Sequence, residues 1–252
     1  MARDAALFEY LLRQADSALL LGHRLSEWCG HAPMLEEELA LANMGLDLIG
    51  QARLFYAYAG EHDAEGRDED QLAYLRDAPA WRNLLLCEQP NGDFAATMLR
   101  QFFFASYAEP LYRDLSGSAD ARLAEIAAKS EKEMRYHRRH AGDWVLRLGD
   151  GTEESHRRLA AALQELWPFT GEMFEADHVE QDLSARGIVV HPARLTAAWR
   201  DGVGETLRQA GLDLPPATWM QSGGRSGRHS EYLGHMLAGM QFLPRAYPGA
   251  SW

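Results

Sequence analysis

One stretch restricts this chain more than any other: Pro33 to Tyr58, PMLEEELALANMGLDLIGQARLFYAY. It reads as one long, mostly buried helix. In its middle Asn43, Asp47 and Gln51 follow at i, i+4 steps on a face shared with Leu46, Ile49 and Gly50. A polar stripe inside an apolar helix is how four-helix bundles set metal-binding carboxylates in their cores. The rest of the chain decides whether partner helices exist and whether they supply the missing ligands.

Partner helices are legible. Leu7, Tyr10, Leu11, Leu19, Leu20 and Leu25 keep a 3.6-residue period, which predicts a first helix from about Ala5 to Trp28, with Asp16 in its apolar stretch. Gly30 and Pro33 punctuate the passage to the second. After an acidic loop from Gly60 to Asp70, a short helix over Gln71–Arg76 and a segment Trp81–Gln89 of either helical or extended form are expected. Asp93, after the turn Pro90-Asn91-Gly92, is placed to cap a third long helix to about Leu115. A fourth spans about Asp120 to Leu148. A fifth covers Glu153 to Arg186, interrupted near Pro168 and Gly171; a sixth ends near Ala210, and a last runs from about Glu231 to Arg245. Alternation is confined to Gly187–Val190. The expected fold is all-α: a single domain over 1–252, a four-helix bundle with additional C-terminal helices.

Charge and cysteine content narrow the function classes. A net charge of -12 argues against nucleic acid or an anionic membrane as the main partner. No apolar run approaches the roughly 18 residues of a membrane span, and MARDAALFEYLLRQ is charged and amphipathic rather than a secretory signal. Cys29 and Cys87 lack disulfide-framework or zinc spacing, which fits reduced thiols in a cytoplasmic protein.

Ferritin-like di-iron bundles take one carboxylate from each of two helices and a Glu-x-x-His from each of the other two. In this chain the second helix offers Asp47-Leu48-Ile49-Gly50 and the fourth Glu133-Met134-Arg135-Tyr136. The lone carboxylate positions fall at Asp16 and Gln101. Gly50 and Tyr136 stand where histidines belong, and glutamine is a poor anionic bridge. A second register, Glu133 with His137 and with His140 nearby, restores one histidine but leaves the second helix with none. The expectation is a degenerate site without metal. Lys129 or Lys132 would neutralise Glu133, Asp47 or Asp16, since unpaired buried carboxylates cost several kcal/mol; a surface i, i+4 pair is the competing reading for Lys129.

Separated segments carry a family resemblance. Glu27-Trp28-Cys29-Gly30-His31-Ala32-Pro33, Leu39-Ala40-Leu41-Ala42-Asn43, Gly45-Leu46-Asp47-Leu48, Gly50-Gln51-Ala52-Arg53, Glu88-Gln89-Pro90-Asn91-Gly92, Tyr136-His137, Pro248-Gly249 and Trp252 resemble the C subunits of bacterial ring-1,2-phenylacetyl-CoA epoxidases. The resemblance implies a ferritin-like bundle with no cofactor of its own. It implies a non-catalytic role beside a homologous A subunit that holds the di-iron centre, with a flavin and iron–sulfur reductase subunit delivering electrons from NADPH. The substrate of such a complex is phenylacetyl-CoA, in aerobic phenylacetate breakdown. The alternatives are a self-sufficient carboxylate-bridged iron oxidase with an unusual ligand set, and a metal-free helical module that binds CoA esters alone.

Other motifs are weaker. Trp81, Arg82 and Asn83 combine an aromatic face, a guanidinium and an amide that suit a CoA ester, against helix-start packing. Cys29 and His31 read as a helix-ending turn rather than a nucleophilic pair. Gln221–Arg228 lacks the strand and lysine of a phosphate loop and reads as a mobile segment that orders against a partner. His229 and His235 are badly spaced for one metal. Phe102, Phe103, Phe104 and Tyr107 cover more than one helix face, so one side is expected to meet another subunit.

Overall fold

A computed structural model describes residues 3–216 and 219–250; Trp252, one of the matching residues, lies outside them. Four long helices form the bundle: α1 (Ala5–Ser26), α2 (Leu35–His62), then after two short helices, α3 (Glu69–Tyr74) and α4 (Leu85–Glu88), α5 (Phe94–Leu115) and α6 (Ala121–Gly149). Carboxylate caps start three of them. Asp4, Asp93 and Asp120 accept from the N–H groups of Leu7, Ala96 and Leu123 at 3.0, 3.0 and 2.8 Å. Each satisfies a backbone donor that the helix leaves open.

α1 and α2 form one antiparallel hairpin and α5 and α6 the other, with α2 lying along α6. The first hairpin closes tightly: a Cβ on Gly22 would stand 3.1 Å from Ile49 Cγ1 and 3.2 Å from the Gly45 carbonyl oxygen. Pro110 removes one backbone donor but does not interrupt α5.

The C-terminal part departs from the expected helices. The fifth divides into α7 (Glu153–Leu166), two 3-10 turns (Trp167–Phe169, Gly171–Phe174) and α8 (His178–Ala185). The sixth becomes a 3-10 turn, Pro192–Leu195, followed by α9 (Thr196–Gln209); the last becomes α10 (Glu231–Met240) and α11 (Phe242–Ala246). Ile188 N–H donates to the Leu183 carbonyl at 2.9 Å, so the alternating run finishes a helix, and no strand occurs among the described residues.

These outer elements cover α5. Phe102, Phe103, Phe104 and Tyr107 are all buried. Phe103 packs edge-on against Trp167 and at a tilt against Trp199, and Tyr107 packs edge-on against Phe174. The aromatic face expected to meet another subunit is therefore covered by the chain's own C-terminal part. Sequence periodicity shows that such a helix needs partners on both sides, but not whose they are.

Candidate functional site

The polar stripe of α2 faces α6 along a seam at the edge of the bundle. Asn43 is exposed, Asp47 partly exposed and Gln51 buried. The stripe thus enters the protein obliquely instead of lining its centre. Gln51 Nε2 donates to Glu133 Oε2 at 2.8 Å, and His137 Nε2 lies 3.2 Å from Asp47 Oδ2. On the far side of the ring, Gln101 Nε2 donates to His137 Nδ1 at 2.9 Å. That contact fixes the ring proton on Nε2, directed at Asp47. A turn further along, His140 Nε2 lies 2.9 Å from Glu37 Oε2.

Burial sets the charge state of this seam. It lowers the His137 pKa, against the pull of Asp47 in the other direction. It raises that of Glu133, to which Asp47 adds repulsion while Gln51 and Lys129 work the other way. Gln51 Oε1 and Gln101 Oε1 are both buried without a partner.

The six template positions do not converge on one point. Asp16 belongs to a different, fully buried cluster. It pairs with Arg76, accepts from the Tyr56 hydroxyl, and accepts from the Arg82 N–H at 2.7 Å. The Arg76 cation stands 4.8 Å from the Trp81 ring centroid. Burial by itself would lower the Arg76 pKa, but Asp16 and Tyr56 outweigh it and the net shift is upward. Gln101 reaches His137 and carries no charge. Tyr136 points outward, over His140. A Cβ on Gly50 meets nothing within 4 Å, so that position borders open space. Among the described residues no three His, Cys, Asp or Glu side chains gather as a metal ion requires. The residues present do not fit a pair of irons.

The lysines do not occupy a core cavity. Lys129 is 62% exposed and meets Glu133 at 3.8 Å from the surface, while Lys132 is exposed and lines an outer groove of α6. The cation that pairs with Asp16 is Arg76, supplied by a loop; Arg13, Arg24 and Arg100 are buried elsewhere, on α1 and α5. The register of Arg76 with Asp16 is set by tertiary folding, so helical spacing gave no signal for it.

Trp81, Arg82 and Asn83 also require correction as a ligand-binding set. Trp81 and Asn83 are fully buried, and Arg82 is held by Glu9 at 2.7 Å. Asn83 Nδ2 donates to Glu88 Oε2 at 2.9 Å. Glu88 also accepts from the Ser230 N–H at 2.7 Å and faces His229 Nδ1 at 2.9 Å, while His229 Nε2 lies 3.1 Å from the Trp81 carbonyl. The glycine-rich segment Gln221–Arg228 is tied down as well: Glu172 accepts from the N–H groups of Leu85 and Gly223 at 2.8 and 2.9 Å. A Cβ on Gly224 would lie 2.2 Å from the Asn83 carbonyl oxygen, so this close approach requires glycine. The segment packs on its own chain rather than waiting for a partner. The Cys29–His31 turn is closed by Glu38, which accepts from the Gly30 and Ala32 N–H groups at 2.5 and 3.3 Å.

Residues 1–252 match the family model described as phenylacetic acid catabolic protein. The chain is also 49% identical over 246 residues to the C subunit of the 1,2-phenylacetyl-CoA epoxidase of Escherichia coli (strain K12), a match that spans 98% of this chain and 99% of the relative.

Proposed function

This chain belongs to the phenylacetic acid catabolic protein family, and from that premise we propose that it is the non-catalytic, structural subunit of a 1,2-phenylacetyl-CoA epoxidase. The observation that carries the reading is the broken ligand set, taken with end-to-end similarity to a C subunit. Asp16 is committed to Arg76, Gln101 to His137, and Gly50 and Tyr136 stand at the two histidine positions. In this reading the chain folds as a single ferritin-like domain, binds no cofactor, and supports a homologous A subunit that holds the di-iron centre. A reductase subunit supplies the electrons, and phenylacetyl-CoA is the substrate of the assembly. The complex works in the cytoplasm; no helix among the described residues is long and apolar enough to cross a membrane.

Co-expression with the A subunit and metal counting test this. The two chains co-elute, the iron follows the A subunit, and this chain purified alone carries no stoichiometric iron. Iron bound to the isolated chain together with O2-dependent turnover would select a self-sufficient oxidase instead.

A further inference from the structure

The bundle leaves one face of α2 uncovered. Leu35, Leu39 and Leu46 are 69%, 58% and 66% exposed, with exposed Ala42 between them and exposed Met34 at the helix start. Their spacing is four, three, four, the repeat of a helix–helix seam. Single exposed leucines are ordinary, but a row of them is not. The opposite face of α2 is already occupied, since Leu41, Met44, Leu48, Ala52 and Phe55 are buried in the core. α2 is therefore apolar on two sides and the chain covers only one.

α6 runs alongside α2, joined to it by the contact of His140 with Glu37, with Tyr136 packed over His140. Lys129, Lys132, Arg135 and Arg139 project from the outer face of α6, and both lysines of the chain are among them. Phe102, Lys132, Arg135, Arg138 and Arg139 line a groove of about 490 Å³, in which Asp143 is the single carboxylate. Lys132 and Arg139 form no ion pair among the described residues, whereas Arg135 and Arg138 share Glu109 and Glu131. A concentration of cations on a chain of net charge -12 calls for carboxylates from outside. A second copy supplies few. Four of the carboxylates nearest its own seam are engaged, Glu37 with His140, Glu38 with the Gly30 N–H, Asp47 with His137 and Glu133 with Gln51, which leaves Glu36 and Asp143 exposed.

We infer that the outer face of α2, flanked by the α6 cations, is the docking seam for an acidic amphipathic helix of a non-identical subunit. The partner helix carries apolar residues at three- and four-residue spacing and carboxylates along the edge that meets Lys132 and Arg139. This rests on the subunit role proposed above and names the surface that performs it.

The test uses the full chain co-expressed with the other subunits of its complex. Leu39→Asp combined with Leu46→Asp weakens co-elution roughly thirtyfold or more, the range of an interface hot spot. Both side chains are already in water, so the circular dichroism spectrum and thermal midpoint of the isolated chain stay as in the wild type. Lys132→Glu with Arg139→Glu weakens binding about tenfold at low salt and much less at 0.5 M salt, roughly where screening removes exposed charge pairs. Phe242→Asp, in the separate exposed apolar patch on α11, leaves binding unchanged. Wild-type co-elution of the Leu39→Asp/Leu46→Asp chain overturns the seam and leaves the subunit role standing. A wild-type chain that binds no other subunit overturns both. Self-association of the isolated chain that the same two substitutions abolish assigns the seam to a second copy and overturns the inference.

Discussion

Two acidic stations on the first hairpin, Asp16 on α1 and Asp47 on α2, both fall at carboxylate places of a metal-binding template and lie in opposite environments in the folded chain. Asp16 is fully buried, and Arg76, Tyr56 and the Arg82 N–H satisfy it. Asp47 is partly exposed, shares one neutral imidazole, and has two buried amide oxygens close by without partners. One station has become a structural joint that pins the loop after α3 to the bundle. The other remains polar, half open and incompletely satisfied. A carboxylate is tolerable in a core only when a partner satisfies its charge; Asp16 has Arg76, whereas among the described residues Asp47 pairs only with the His137 imidazole.

The largest effect should come from breaking the closed station. Asp16→Asn leaves the Arg76 guanidinium buried without its counter-charge, which typically costs about 3–5 kcal/mol. Urea unfolding should show this as a lower midpoint, accompanied by early proteolysis between Asp77 and Asn83 as the joint opens. A cost below about 1 kcal/mol would mean that Arg76 can reach water, and the contrast between the two stations would disappear.

The open station should respond far less. Asp47→Ala removes one contact of 3.2 Å between a partly exposed carboxylate and a neutral imidazole, worth roughly 0.5–1.5 kcal/mol as a hydrogen bond. The same measurement on both variants compares them directly. A loss at Asp47 equal to that at Asp16 would show the seam to be a second structural joint.

The sequence carried the bundle and little of this asymmetry. Period and caps located α1, α2, α5 and α6, because amphipathic spacing and Asp93 or Gly30 act through neighbours in the chain. His137 was visible as the alternative register because it lies one turn from Glu133 on one helix. Lys129 was visible for the same reason, though its depth was not: a four-carbon stem on a helix edge goes to water when an exit exists. The partners of Asp16 were hidden. Arg76 is 60 positions away in a short irregular stretch, and no local pattern marks which arginine a fold will bury. Trp81 and Asn83 misled for the converse reason: a composition suited to ligand binding equally suits a loop that buries its own backbone. Glu88, Glu172 and His229, which fasten that loop, carry no local sequence pattern that marks them.

The smallest and most specific effect is on pH dependence. Burial raises the folded-state pKa of Glu133 above the ordinary carboxylate value of about 4.3. A raised pKa means that the folded chain binds this proton more tightly than the unfolded one. Its stabilising contribution is complete below the unfolded pKa and is lost as pH rises through the folded one. His137 behaves oppositely. Its pKa is lowered from about 6.5, so the stability it contributes is complete above that value and fades as pH falls through the lowered pKa. The two groups share a seam yet favour opposite ends of the acid range. Glu133→Gln should therefore gain stability relative to wild type at pH 7 and lose that advantage near pH 4. His137→Gln should lessen the fall in stability between pH 7 and pH 5. Stability curves for both variants over that range separate the terms. A Glu133→Gln difference that stays constant with pH would show its carboxylate to be solvated, leaving the openness of this station to Asp47 alone.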